Sequence, residues 1–138
     1  MVDDYDYDYS ITDIYLNNAN LVGTIPPEIY TLRGLKSLDL CSNYGLVGTI
    51  PTELGLLTNL FDLHIQKTNI QGTVPTSLGH LTSLNRLLID ETKITGIMPQ
   101  EVCELKQIEN GLLGSLNSIH ANCNGQPYSI QCNCCDKC

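Results

Sequence analysis

Residues 35–59 read LKSLDLCSNYGLVGTIPTELGLLTN, and the same pattern stands on both sides of them. Residues 11–34 read ITDIYLNNANLVGTIPPEIYTLRG, residues 60–83 LFDLHIQKTNIQGTVPTSLGHLTS, and residues 84–107 LNRLLIDETKITGIMPQEVCELKQ. The copies begin at Ile11, Leu35, Leu60 and Leu84, in steps of 24, 25 and 24 residues. A fixed period of roughly 20–50 residues marks a stacked-repeat architecture. The repeat thus settles the fold class, an α/β repeat solenoid, more firmly than any function.

Each copy opens with the alternation L-x-x-L-x-L: Ile11/Ile14/Leu16, Leu35/Leu38/Leu40, Leu60/Leu63/Ile65 and Leu84/Leu87/Ile89. The fourth and sixth positions share one face of an extended chain, and the residues between and after them face the other way. These are mostly polar, so each copy supplies one short strand with a buried and a wet face. A second block follows, reading LVGTIP, LVGTIP, IQGTVP and ITGIMP. Gly23, Gly48, Gly72 and Gly96 supply a backbone geometry or a close approach that a side chain would obstruct. Pro26, Pro51, Pro75 and Pro99 fix φ and are expected to open a short helical turn. That turn carries apolar pairs three apart: Ile29/Leu32, Leu54/Leu57, Leu78/Leu81 and Val102/Leu105.

No single copy can bury its apolar face, whereas stacked copies make one continuous core. The recurring Leu spacing, Gly and Ile-Pro resemble the plant-type leucine-rich repeat family, LxxLxLxxNxLxGxIPxxLxxLxx, over about residues 11–107. The resemblance implies a curved, right-handed coil with a parallel sheet on its concave side. It also implies a second short sheet from the GTIP stretch and short 3-10 or helical pieces on the convex side. Four repeats are expected at 11–34, 35–59, 60–83 and 84–107, after an acidic segment 1–10 and before a degenerate fifth repeat and Cys-rich cap at 108–138. The family asparagine is present as Asn43 and replaced by Ala19, Thr68 and Thr92, so its side-chain ladder is expected to be incomplete. The second repeat carries one extra residue within Asn43–Leu46, expected to bulge its turn.

From Ile108 the spacing breaks. A fifth strand reads Leu116 to Ala121, with Asn124 at the family position and about eight extra residues near Glu109–Gly114. Cys123, Cys132, Cys134, Cys135 and Cys138 crowd the end, and Cys103 on the fourth helical piece could face them. The favoured reading is a disulfide cap sealing the last apolar layer, with 15 possible pairings among six cysteines. The alternative is a zinc knuckle from Cys132, Cys134, Cys135 and Cys138, at an awkward spacing for joint thiolate ligands. Cys41 is expected free on the concave face or bound to another molecule. The tail, Ala121-Asn122-Cys123 followed by C-x-C-C-x-x-C, also resembles the ends of leucine-rich repeat proteins from diatoms and related algae.

Residues 1–10, MVDDYDYDYS, contain no apolar stretch suited to a signal peptide and no cysteine cap, so the chain reads as a fragment. Tyr5, Tyr7 and Tyr9 alternate with Asp6 and Asp8, which would also suit an irregular edge strand or sulfated tyrosines.

The 138 residues suit one domain, and no run approaches the roughly 18 apolar residues of a membrane span. Seven basic against 15 acidic residues give a net charge of −8, half of it from residues 1–10, which disfavours nucleic acid as a partner. No N-x-S/T sequon occurs. Phosphate loops, G-x-S-x-G and H-E-x-x-H are absent, and no cofactor or metal is expected. His64 and His120 occupy the same strand position two repeats apart, roughly 10 Å at about 4.8 Å per strand. With Asp62, Asp90 and Cys41 they could be drawn as a catalytic or metal cluster, but repetition aligns polar residues without purpose. His80 falls on the convex helical piece and is expected solvated.

The expected binding surface is therefore the concave face, with Tyr15, Asn17, Asp39, Phe61, His64, Gln66, Arg86, Leu88, Asp90 and His120 as contact residues. Tyr15, Phe61, Arg86 and an exposed Leu88 would anchor a partner. The function expected is a non-catalytic module for a protein, peptide or glycan, in a secreted or receptor-like protein whose membrane attachment would lie in other segments. Alternatives are a structural or adhesive surface protein, and an intracellular scaffold with reduced cysteines.

Overall fold

The computed structural model describes residues 10–106, 115–123, 125 and 127–138. The Tyr/Asp pattern of the amino end, the extra residues near Glu109–Gly114 and Asn124 lie outside the described residues. The strands are β1 (Asp13–Tyr15), β2 (Val22–Gly23), β3 (Ser37–Asp39), β4 (Gly45–Leu46), β5 (Asp62–His64) and β6 (Gln71–Gly72), then β7 (Arg86–Leu88), β8 (Lys93–Ile94), β9 (Gly96–Ile97), β10 (Ser118–His120) and β11 (Ile130–Gln131). The L-x-x-L-x-L strands form one five-stranded parallel sheet in the order β1-β3-β5-β7-β10. Ile14, Leu38, Leu63, Leu87 and Ile119 stand in register across it. Leu38, Leu63, Leu87 and Ile119 are wholly buried. One carbonyl per repeat staples the next at the start of each strand. Thr12, Lys36, Phe61 and Asn85 each accept two consecutive N–H groups from the following copy.

Behind the sheet the chain returns through 3-10 helices at Pro27–Thr31, Thr52–Leu56 and Thr76–His80 and an α-helix, α1, at Gln100–Glu104. Pro26, Pro51, Pro75 and Pro99 are the capping residues just before these helices, one position earlier than the expected opening of the turn. Their ψ values of 139–149° keep the backbone extended up to the first helical residue. Leu32, Leu57, Leu81 and Leu105 close the helices by donating to the carbonyls of Ile29, Leu54, Leu78 and Val102, which explains the apolar pairs three apart.

The second sheet differs from expectation. It is three separate pairs, β2–β4, β6–β8 and β9–β11, joined in part by a Thr49–Gln71 bridge. The strands centre on the residues beside the glycine rather than on Thr-Ile-Pro. Gly48, at φ +90°, leaves the strand in a conformation L side chains avoid, and an added Cβ would lie 2.9 Å from Thr24 Cγ2 of the preceding repeat.

Two expectations about the first repeat fail. Ile11 and Leu16, placed in the core by pattern, are 51% and 42% exposed. Among the described residues nothing stacks on their outer side, and a cleft of about 260 Å³ opens beside Leu16, Leu21, Val22 and Ile25. The extra residue of the second repeat makes a turn, Leu46 N–H to Asn43 O at 3.0 Å, that pushes Tyr44 into solvent.

The tail forms three disulfides, Cys103–Cys134, Cys123–Cys138 and Cys132–Cys135. All six crowded cysteines are thereby spent, so the zinc-knuckle alternative is replaced by covalent pairing. Lys137 pairs with His120 at the open side of β10, and Asp136 Oδ2 accepts the Ile119 N–H at 2.7 Å. Lys106 binds the other Asp136 oxygen at 2.5 Å. Asp136 is held below the ordinary carboxylate range by that ammonium and the Ile119 N–H, against burial, which acts the other way.

Packing between helical pieces is tightest at Gly55, where an added Cβ would lie 2.3 Å from the Ser77 carbonyl oxygen. Gly55→Ala therefore forces the second and third helical pieces apart. We expect a loss of about 1–3 kcal/mol, measured by urea denaturation, and no loss at Gly125, where no atom lies within 4 Å, if a small polar residue that tolerates φ +71° replaces it.

Candidate binding surface on the parallel sheet

The period-2 alternation sends every other side chain of the five strands away from the core, and the register aligns them in rows. The first row is Asp13, Ser37, Asp62, Arg86 and Ser118; the second is Tyr15, Asp39, His64, Leu88 and His120. The alternation carries on past the strands to a third row, Asn17, Cys41, Gln66, Asp90 and Asn122. Asn18, Ser42 and Lys67 keep that row in register by donating to the carbonyls of Cys41, Gln66 and Asp90. The chain then leaves the sheet at a left-handed residue in each of four repeats, Asn18, Ser42, Lys67 and Glu91, with φ between 52° and 58°, and the first repeat adds a second at Asn20, φ 55°. Lys67 and Glu91 meet across this rim at 3.7 Å.

Within the rows, Arg86 grips Asp62 with two bonds, Nε to Oδ1 at 2.6 Å and Nη2 to Oδ2 at 2.5 Å. That pair raises the arginine pKa further and places a planar ion pair in the middle of the first row. Asp39 Oδ1 accepts the Cys41 N–H at 3.0 Å, and its other oxygen lies 3.8 Å from His64 Nδ1. His64 is largely covered, 15% exposed at its side chain, and its Nε2 has no partner. Gln66 Oε1 is likewise buried without a hydrogen bond. Burial pushes the His64 pKa down, and the Asp39 charge opposes it only in part. Burial and then Asp39 push the Cys41 thiol up, so it stays protonated at neutral pH and is a poor nucleophile. Asp13 is held below the ordinary carboxylate range by the hydroxyls of Thr12 first and then Ser37.

Tyr15, Asp39, His64, Leu88 and His120 share the second row, Asn17, Gln66 and Asp90 the third, and Arg86 the first. Phe61 stands apart, one residue before β5 and 47% exposed, where its backbone joins Asn85 and Arg86. Leu88 is half-buried rather than exposed, because His64 and His120 flank it in the row. Leu88 also separates those two histidines, and exposed His80 ends a 3-10 helix. Cys41 is the free cysteine, as expected. Asn122 is spent on the framework: its Oδ1 accepts from Glu91 N–H and its Nδ2 donates to Thr92 O. Asp62 and Asp13 were missed as principal groups. Asp62 stands exactly one repeat before Arg86, and that 24-residue interval was the available signal.

A depressed histidine pKa carries a sign. Folded His64 binds its proton more weakly than the unfolded chain does, so its share of stability is present above pH 6.5 and is lost as pH falls from there toward its lower folded value. The difference in Tm between His64→Gln and the parent should therefore shift in favour of the variant between pH 7.5 and 5.5, as read by thermal denaturation. An unchanged difference would contradict the burial of the ring.

No family model matches the chain, and no curated protein does either. Solved structures do. The Arabidopsis receptor kinase HAESA, in complex with the peptide hormone IDA and the co-receptor SERK1, is 26% identical, with a TM-score of 0.72 over 88% of this chain and 18% of that one. The leucine-rich repeat ectodomain of the membrane receptor kinase GASSHO1/SCHENGEN3 from Arabidopsis thaliana, in complex with CASPARIAN STRIP INTEGRITY FACTOR 2, is 26% identical, with a TM-score of 0.71 over 94% of this chain and 14% of that one. PEPR1–AtPEP1 is 34% identical, with a TM-score of 0.67 over 69% of this chain and 13% of that one. The chain is a plant-type leucine-rich repeat protein. This leucine-rich repeat chain spans less than a fifth of the length of those three structures, 13–18%. Its polar rows occupy the outer face of the same fold.

Proposed function

We propose that this leucine-rich repeat protein is a non-catalytic recognition module that binds a peptide or protein across the outer, concave face of its parallel sheet. The observation that carries the reading is the three-row surface. It is continuous over five strands, polar, and holds an exposed Tyr15 together with two covered polar atoms that lack partners, His64 Nε2 and Gln66 Oε1. Ligand groups would complete those atoms, and Tyr15, Asn17, Asp39, Phe61, His64, Gln66, Arg86, Leu88, Asp90 and His120 are the contact residues. Peptide hormones and a co-receptor in the complexes of similar structures support a polypeptide partner ahead of a glycan.

The finer architecture belongs to the same proposal: a curved right-handed coil, four repeats at the expected boundaries, and a disulfide-closed tail acting as the terminal cap. Three disulfides support an extracellular place of action, since such bonds persist in oxidising compartments. Thiol counting on natively produced protein tests this, with one free thiol expected and seven sinking it.

The binding reading is tested by panning a displayed peptide library on the immobilised 138-residue chain. Tyr15→Ala with His64→Ala should weaken selected peptides at least tenfold, and Glu53→Gln on the helical side should not. Selected peptides indifferent to the sheet substitutions would overturn it.

A further inference from the structure

The three rows and the rim beyond them carry five carboxylates, Asp13, Asp39, Asp62, Asp90 and Glu91, against two permanent cations, Lys67 and Arg86, with Lys137 beyond His120 at the far edge. Both cations are engaged on the face itself, Arg86 by Asp62 and Lys67 by Glu91. Asp13, Asp39 and Asp90 remain, and among the described residues none has a Lys or Arg partner. They are not clustered. Asp13 lies in the first row on β1, Asp39 in the second on β3, and Asp90 in the third just beyond β7. With about 4.8 Å between strands and about 6.6 Å between rows, the steps are roughly 8 Å and roughly 12 Å. The three fall nearly in line, on a diagonal across the sheet. His64 and Gln66, with their unpartnered Nε2 and Oε1, sit beside that line on the intervening strand.

We propose that this diagonal is a track for a cationic, extended peptide segment, with basic side chains meeting Asp13, Asp39 and Asp90 in turn. An extended chain presents same-side residues about every 6.6 Å, so basic residues at relative positions one, three and seven match the steps. The Gln66 oxygen accepts an N–H from the segment's backbone or a guanidinium, and exposed Tyr15 packs against an aliphatic stem or a cationic head. Among the described residues, an anionic segment meets three carboxylates that have no Lys or Arg salt bridge, with Lys36 beside Asp13 and Lys137 beyond His120 as the nearest unpaired cations. The inference rests on the recognition reading above and narrows it to one charge class.

The test uses the full chain and the peptide acetyl-Arg-Thr-Arg-Thr-Thr-Thr-Arg-amide, with counterparts carrying Gln or Glu for Arg. Binding is followed by amide chemical shifts at low salt. The Arg peptide should shift resonances of Tyr15, Asp39, His64 and Leu88, and the Glu peptide should shift none. Asp39→Asn with Asp90→Asn should raise its Kd about fivefold, in keeping with exposed ion pairs. Glu28→Gln with Glu53→Gln makes the same change in net charge on the helical side and should leave Kd unchanged. Gln and Arg peptides binding alike at the sheet would overturn the cationic assignment and spare the recognition face. An unchanged Kd in the Asp39/Asp90 variant, or equal weakening by the Glu28/Glu53 variant, would overturn the diagonal. An Arg peptide that shifts only helical-side resonances would overturn the track and count against the recognition face as well.

Discussion

Replacing Asn43 by Ala should cost about 3–5 kcal/mol, the larger part of the stability of a marginal domain. Asn43 is 1% exposed and its side chain ties two repeats together. Oδ1 accepts the Ala19 and Leu21 N–H groups, both at 3.0 Å, and Nδ2 donates to the carbonyls of Leu16, Leu40 and Cys41. Alanine leaves two donors and up to three acceptors without partners, each costing about 1–3 kcal/mol where water cannot replace them. The partly open first repeat admits some water and holds the total to the stated range. Asn43→Thr should recover part of the loss, because a threonine hydroxyl at the same position in the third repeat still reaches the carbonyl three residues earlier. Urea denaturation reads both, and an Asn43→Ala loss under about 1 kcal/mol would refute the bridging role.

Removing the Cys103–Cys134 bond, as Cys103→Ser with Cys134→Ser, should cost about 3–4 kcal/mol on loop-closure entropy alone, since it joins residues 31 apart. The damage should be local. Cys103 lies on α1 of the fourth repeat and Cys134 in the tail, so the bond is the only disulfide among the three with one partner outside the tail. Without it the tail keeps Lys106 to Asp136, the Asp136 contact to Ile119 and the β9–β11 pair. Hydrogen exchange should quicken first at Ile119, Ala121 and Met98, ahead of β3 and β5. Uniform loss of protection across the sheet would show that the tail's hold is global instead.

The period made the sheet, its register and the burial of most motif leucines legible, because a strand and a helical piece that recur at one spacing can be buried in only one way. The exceptions have physical causes. Ile11 and Leu16 belong to the first copy and, among the described residues, have no neighbour on one side. The prolines of the Ile-Pro motif act as caps because their extended ψ precedes the helix, a detail that fixed φ alone does not determine. The disulfide pairing was not legible, since sequence ranks none of 15 pairings and only the fold brings Cys103 to Cys134. On the sheet face the rows were readable, but the Arg86–Asp62 grip and the orphaned atoms of His64 and Gln66 depend on rotamers that a pattern does not specify.

Thr68 and Thr92, in the ladder position of the third and fourth repeats, bond only to carbonyls of their own copy, Ile65 and Ile89. Among the described residues, Asn43 is the one in this position that reaches back to the copy before it. Treated as a one-dimensional chain of coupled units, the stack then has unequal nearest-neighbour terms. The first and second units are fused by a buried side chain, while the junctions on either side of the third unit hold by backbone bonds, leucine packing and more exposed side-chain bonds, Asn69 to Tyr44 and Ser77 to Thr52 on one side and Arg86 to Asp62 on the other. Under load or denaturant, the junctions expected to part first are those two, which have no buried asparagine bridge and flank the repeat that carries His64 and Gln66, so a ligand lying across them would act as a clamp on the cooperativity of the whole array.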